Sequence, residues 1–363
     1  MISKRLSAAD EESAAEALLE AALTDGLPVV VPTPERVERM VEAGGVDPAT
    51  SLGAVPPING EAVVEKIAVN AVMAGCRPEY FPVVLAATRA MLRPEFGLMT
   101  IQASTGPYGP MLVVNGPIRN ELGIAGGVGC MGPGWHANVT IGRAIRLVLI
   151  NIGGGRPGIG DAASQGSPVK LSFCFAEYEE MSPWTPYHTT RGFEASDNVV
   201  TVIAAEGTQA LLMIPPEPGA RGATPEGLIN TIAARIVAPG GTAHYLARVP
   251  AATGTFTTVA LTPQTARYVD ALGWSRKALQ EAVWERAVMP IRDRKVYATA
   301  LADEPEEWEL DPEWDDPDAV IRAYDSPADI QIVVAGDVHC NQIIPCGAFK
   351  VGAPCSERIS LPR

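Results

Sequence analysis

Apolar positions spaced three and four apart over residues 7–24 predict an amphipathic, Ala-rich helix begun by Ser7. The run Leu27-Pro-Val-Val-Val31 predicts a short strand. Thr33-Pro34-Glu35 has the residues of a helix start, and that helix should end near Gly44-Gly45. Ser51 to Gly60 reads as a Pro-rich connector, and Glu61 to Ala74 as a very apolar helix stopped by Gly75. Pro78 opens a second apolar helix that runs to about Leu92.

Leu98–Ala103 and Pro110–Asn115 predict strands joined by the turn Thr105–Pro110. A glycine-rich stretch from Gly123 to Gly134 leads into a long helix from about His136 to Ile152, which Gly153-Gly-Gly155 stops. Strands are expected again at Val169–Phe175, Val199–Ala204, Phe256–Leu261 and Ile330–Ala335. Helices are expected at Pro225–Ile236, Pro263–Leu272 and Ser275–Arg286. Strands and helices interleave throughout, which predicts an α/β fold with mixed sheets and two lobes of similar size. A polar, irregular stretch from Tyr187 to Asn198 suggests a cut between residues 1–190 and residues 191–363.

Composition refines this picture. With 47% hydrophobic residues in 363, a sizeable core is easily supplied. The net charge of −14 is largely local, because residues 303–318 hold ten carboxylates and no Lys or Arg. That run reads as an exposed acidic insertion. No cluster of Lys and Arg could neutralise phosphates, so nucleic-acid binding is not expected. The N-terminus turns acidic at Asp10 with no apolar signal core behind it, and no stretch is long enough to span a bilayer. A cytoplasmic protein without a membrane partner is expected. Its six cysteines then read as free thiols, ligands or nucleophiles.

Three constellations carry candidate chemistry. In the first, an apolar helix bearing Glu65, Lys66 and Asn70 ends at Gly75, and Cys76-Arg-Pro-Glu79 follows. A helix beginning at Pro78 would stabilise a thiolate at Cys76 with its free amides, and Glu79 or Glu65 would carry the proton. The same residues also read as a small buried hydrophobe and a first-turn carboxylate.

In the second, the loop Gly126-Gly-Val-Gly-Cys130-Met-Gly-Pro-Gly134 feeds a helix on which His136, Thr140 and Arg143 share one face. Such a loop is a ready anion site, and Arg143 could grip a carboxylate or phosphate; a plain tight turn is the alternative. The spacing matches neither a dinucleotide fold nor a P-loop. Replacing Arg143 with Leu is accordingly expected to raise KM about tenfold, or about 1.4 kcal/mol.

The third is His339-Cys340, Cys346 and Cys355, which could ligate zinc or iron although no Cys-x2-Cys pair is present. His339 alternatively sits at a catalytic strand end. Glu177, Glu179, Glu180, Trp184 and His188 follow a strand and could line a pocket mouth, with a solvated loop as the first reading.

Several segments together resemble a bacterial family of largely uncharacterised proteins linked to a thiol or selenol domain named for its UGSC motif. They are the run from Glu65 to Tyr80, Asn115-Gly-Pro-Ile118, Ala137 to Ala144, and Ser182-Pro-Trp184. The resemblance spans about residues 60–350 and implies a nucleophilic or redox-active partner in trans, since this chain lacks a Cys-Gly-Ser-Cys motif. Relatives end the C-terminal strand turn with Gly-Gly and a His-Ser pair. Here Gly336-Asp337 and His339-Cys340 stand instead, with Cys346 and Cys355 added, which suggests a specialised member.

The expected function is a cysteine-dependent enzyme on a small anionic substrate, of hydrolase, hydro-lyase or carbon–heteroatom lyase type. Catalytic candidates are Cys76, Glu79, Glu65 and His339. Substrate-binding candidates are Asn70, Asn115, His136, Asn138 and Arg143. The alternatives are a non-catalytic partner of a thiol or selenol enzyme and a metal-binding enzyme using the C-terminal Cys and His. A homo-oligomer, or a heteromer with such a partner, is expected.

Overall fold

The computed structural model describes residues 3, 5–212, 222, 224–238, 256–290, 292–293, 316, 318–338, 340–346 and 352–362, with backbone alone at Pro345 and Cys346. Most of the acidic run 303–318 and His339 lie outside the described residues. The fold is α/β. It divides into two compact units, the first of residues 1–177, 186–204 and 354–363, the second of residues 178–185 and 205–353. No helix among the described residues is long and apolar enough to cross a membrane.

In the first unit, α1 (Glu11–Glu20) is shorter than the apolar spacing suggests, because Asp10 rather than Ser7 caps it. The Asp10 carboxylate accepts from the Ser13 backbone N–H at 2.8 Å. Leu27–Val31 forms no strand: Pro28 and Pro32 remove donors, and only Val30 N–H reaches across, to Met73 O. Helix α2 (Pro34–Gly44) starts and stops as its Thr33 and Gly45 dictate. The Pro-rich connector is instead a hairpin of β1 (Ser51–Val55) and β2 (Gly60–Val63), with the two prolines in the turn.

Helix α3 (Val64–Ala74) follows directly, and Gly75 ends it at φ +88°. A 3-10 turn at Pro78–Tyr80 leads into α4 (Phe81–Met91), which is buried along almost its whole length. Leu98–Ala103 is a helix, α5, and not a strand. Leu98, Ile101 and Gln102 are its buried positions, which is helical spacing rather than alternation.

The sheet of this unit is built on β3 (Gly109–Asn115), buried at every position. After the short α6 (Ile118–Glu121) comes the long α7 (His136–Asn151), which packs against α3 and α4. Gly142 lets α7 approach the segment before the next strand, where a Cβ would meet Ser172 Oγ at 2.4 Å. Only Cys174–Ala176 of the expected 169–175 strand forms, as β4, because Pro168–Lys170 is a 3-10 turn capped by Ser167. Strand β4 runs parallel to β3, with Val113 opposite Phe175. Strand β5 (Val199–Ala205) lies on the other side of β3, and the C-terminal strand Cys355–Arg358 adds antiparallel to β5.

The second unit holds a sheet of β6 (Gln209–Leu212), β7 (Phe256–Leu261), β10 (Ile330–Val334) and β11 (Cys340–Cys346), in the order β10-β7-β11-β6. Strands β8 (Val288–Pro290) and β9 (Val320–Arg322) pair apart from it. Helices α8 (Pro225–Ile236), α9 (Pro263–Ala271) and α10 (Arg276–Arg286) begin after Thr224, Thr262 and Ser275, each of which caps with its side chain. Leu228, Ile232, Val259, Leu279, Val283 and Ile332 form its core.

Candidate functional site

Cys76 sits one residue beyond the glycine that ends α3, and the three-residue 3-10 turn at Pro78 intervenes before α4. Its thiol is buried and donates to Thr140 O at 3.2 Å. Burial pushes that thiol up to about 12, against which the contact with Thr140 and the charge of Arg143 work only weakly. A protonated, buried thiol is no nucleophile at neutral pH. Glu79 is exposed. Glu65 is buried on the first turn of α3 and accepts from Ser3 N–H at 2.8 Å. It lies at the far end of α3 from Cys76, on the order of 15 Å by the helical rise, and cannot serve that thiol.

The glycine-rich loop is closed on itself rather than open. Asn138 uses its whole amide to hold it: Oδ1 accepts from Ala125 N–H at 2.9 Å, and Nδ2 donates to Ala125 O and Cys130 O at 3.0 and 2.9 Å. Cys130 and Gly132 N–H groups are spent on turns within the loop. His136 is exposed at the start of α7, with Nδ1 3.5 Å from the Tyr80 hydroxyl.

Arg143 does not point to the loop. Its guanidinium forms a fork with Asp25 at 2.7 and 2.8 Å and also donates to Pro28 O at 2.9 Å. Burial works to raise the Asp25 carboxyl, but the hydrogen bond and charge of Arg143 outweigh it and hold the group below the usual carboxylate range. The pair ties residues 25–28 to α7, and its role is structural.

Asn115 ends β3, and its Nδ2 donates to Glu177 Oε2 at 2.7 Å. Tyr187 N–H donates to the same oxygen. Glu177 and His188 are fully buried, so the solvated loop expected there is wrong for these two residues. Gly116 follows at φ +89°, where any Cβ would strike Asp197 O at 2.2 Å. Asn115 and Glu177 thus stand at the carboxyl ends of adjacent parallel strands, the edge at which α/β folds place ligands. Asn70 is buried on α3 and accepts from Asn151 Nδ2 at 2.7 Å, beside a separate cavity treated below.

Among the described residues no group of three His, Cys, Asp or Glu is placed to hold a metal. Cys340 is exposed in the second unit and Cys355 is buried in the first, where burial pushes its thiol up to about 11. His339 and the Cys346 side chain lie outside the described residues.

The C-terminal half of α7 presents a different arrangement. One turn beyond Arg143, Arg146 donates to Asp161 Oδ2 at 3.0 Å and to Gly155 O at 3.2 Å. Lys170, held in the 3-10 turn, donates to Asp161 Oδ1 at 2.7 Å. All three side chains are less than 10% exposed, at 9%, 5% and 8% for Arg146, Asp161 and Lys170. Burial raises the Asp161 carboxyl, yet its hydrogen bond to Lys170 and the two cationic charges bring it below the usual range. Burial lowers Lys170, and Asp161 offsets this only in part.

Arg156 completes the group. Its backbone is pinned, with the carbonyl accepting from Ile159, Gly160 and Asp161 N–H groups. Its Nε is buried and has no hydrogen-bond partner among the described residues. Arg146, Arg156, Asp161 and Lys170 line one cavity of about 810 Å³, with Gln165 and Ser167 beside them. Asp25 also lines it but is offset by Arg143, so three cations face the single carboxylate of Asp161. Arg156, Asp161 and Lys170 were not among the sequence candidates. The signal available was Arg146 among the apolar residues 144–150 of α7, since a buried charge requires a partner. The chain matches no family model, no curated protein and no solved structure.

Proposed function

We propose that the protein is an enzyme acting on a small organic anion, bound by Arg156 and Lys170 in the cavity beside the C-terminal half of α7. The observation that carries this reading is Arg156: a pinned arginine with an unpaired buried Nε, in a cavity where positive charge exceeds negative. The volume lies within the range of ligand sites, and a planar guanidinium suits a carboxylate or phosphate. Of the reaction types open to the sequence, the lining favours hydro-lyase or carbon–heteroatom cleavage. Lys170, with Asp161 at 2.7 Å, is a proton carrier beside the anion clamp, and no thiol among the described residues lines the cavity. A cytoplasmic setting and assembly as a homo-oligomer belong to the same proposal.

Calorimetric titration with a panel of mono- and dicarboxylates and phosphate monoesters tests it. We expect one anion class to bind and Arg156→Gln to weaken it at least about tenfold, or about 1.4 kcal/mol. Because Lys170 is held below the ordinary lysine value, binding should weaken at a lower alkaline pH than an unperturbed lysine would set. Failure of every anion to bind, or equal binding by Arg156→Gln, would reject the proposal.

One observation favours a second reading, a subunit that serves a thiol or selenol partner. Cys76, Cys130, Cys174 and Cys355 of the first unit are all buried, so a reaction there that needs a thiolate must draw it from elsewhere. Turnover by the purified chain alone would exclude this alternative.

A further inference from the structure

The first unit contains a second cavity, of about 450 Å³, between α1 and the apolar sides of α2, α3 and the end of α7. Leu18, Leu23, Val37 and Met73 give it an apolar wall, and Asn70 and Asn151 give it a polar floor. The two amides are fixed in orientation. Asn151 Nδ2 spends its hydrogens on Leu23 O at 2.9 Å and Asn70 Oδ1 at 2.7 Å, while Asn70 Nδ2 donates to Lys66 O at 2.8 Å. Flipping Asn151 would lose both of its bonds.

That arrangement leaves Asn151 Oδ1 as a buried acceptor with no donor among the described residues. Ser3 Oγ, also in the lining, is a second buried polar atom without a partner there. Buried polar atoms ordinarily find partners, because an unmet one forfeits the hydrogen bond it made to water. An apolar cavity with an orphan acceptor at Asn151 and an orphan hydroxyl at Ser3 calls for an apolar molecule whose polar end can donate a hydrogen bond.

We infer that this cavity is a binding site for a neutral amphiphile, an aliphatic body ending in a hydroxyl or amide N–H that donates to Asn151 Oδ1. A carboxylate is disfavoured: Ser3 Oγ could donate to it, but Asn151 Oδ1 would face its oxygens without a proton between them. Asp10 and Glu11 at the rim add to that preference, although Arg5 beside them opposes it. The site thereby differs in chemistry from the cationic cavity, and it stands whether or not the anion reading does.

Calorimetry and thermal denaturation of the full chain with octan-1-ol and with octanoate at pH 8 provide the test. Octan-1-ol should bind one site and raise Tm, with octanoate at least about tenfold weaker. Ala17→Phe, which fills the cavity from α1, should abolish octanol binding while leaving anion binding at Arg156 intact. Should that variant misfold, Ala14→Leu fills the same wall with a smaller side chain. No binding by octan-1-ol would mean that water alone meets Asn151, and would overturn the inference. Equal affinity for octanoate, or unchanged binding in a folded filling variant, would overturn it as well.

Discussion

Arg143 and Arg146 leave α7 one turn apart and meet opposite circumstances. Arg143 has one carboxylate, Asp25, in a two-bond fork, and its Nη2 also reaches the Pro28 carbonyl. Arg146 shares one carboxylate with Lys170, and Arg156 nearby has none among the described residues. In the first region the fold consumes three of the candidates: Asn138 by the loop, Cys76 by Thr140, Arg143 by Asp25. In the second, donors exceed acceptors. A surplus of buried charge costs stability unless a ligand meets it, so the second region is where binding is expected.

The largest break in this contrast is Asp161→Asn. The variant keeps the shape but leaves Arg146 and Lys170 buried beside a neutral amide, which should cost about 3–5 kcal/mol in denaturant unfolding. Adding Lys170→Gln should restore part of that loss, because one of the two uncompensated charges goes with it. If Asp161→Asn is as stable as the parent, the triad does not hold the 156–170 segment in place.

Arg143→Leu is next. The sequence assigns this residue to substrate, whereas the structure assigns it to Asp25. The variant strands a carboxylate that is 2% exposed, and about 2–3 kcal/mol of stability should go with it. Anion affinity in the Arg156 cavity should fall only through repulsion from the Asp25 carboxylate left uncompensated on its wall, by less than about tenfold. A tenfold loss of affinity without loss of stability would restore the original assignment.

The two regions also show what a sequence can and cannot disclose. Helix starts at Thr33-Pro34, Thr224-Pro225, Thr262-Pro263 and Ser275 are readable, because a cap bonds an amide two or three residues away. The helix at Leu98–Ala103 reads as a strand in the sequence because six residues are too few to separate helical spacing from alternation. Arg143 meets Asp25 across 118 positions and Asn115 meets Glu177 across 62, and no local pattern announces either pairing. The C-terminal strand's return to β5 is equally invisible along the chain. Residue type thus marks the candidates along the chain, while their partners, which decide their roles, leave no local trace.

Arg156→Gln sharpens the contrast from the other side. Its Nε makes no hydrogen bond among the described residues, so stability should stay within about 0.5 kcal/mol of the parent. Affinity for the bound anion should fall at least about tenfold. A variant that lost stability but not affinity would make Arg156 the counterpart of Arg143, and the two regions would no longer differ.

The smallest effect belongs to Cys76→Ser. The hydroxyl can keep the hydrogen bond to Thr140 O in a slightly smaller volume, so we expect at most about 1 kcal/mol lost and anion binding unchanged. The thiol itself should resist iodoacetamide at pH 8 in the native protein and react once the chain is unfolded. Its pH dependence follows from the raised folded value. An ordinary thiol ionises near 9.0 in the unfolded chain and Cys76 near 12 in the folded one, so any stability it confers is whole below pH 9.0. That contribution falls as pH rises toward 12 and should be missing from the alkaline unfolding curve of Cys76→Ser. Rapid alkylation of the native thiol at pH 8 would show an accessible thiolate and return Cys76 to the list of nucleophiles, at the expense of the Arg156 cavity.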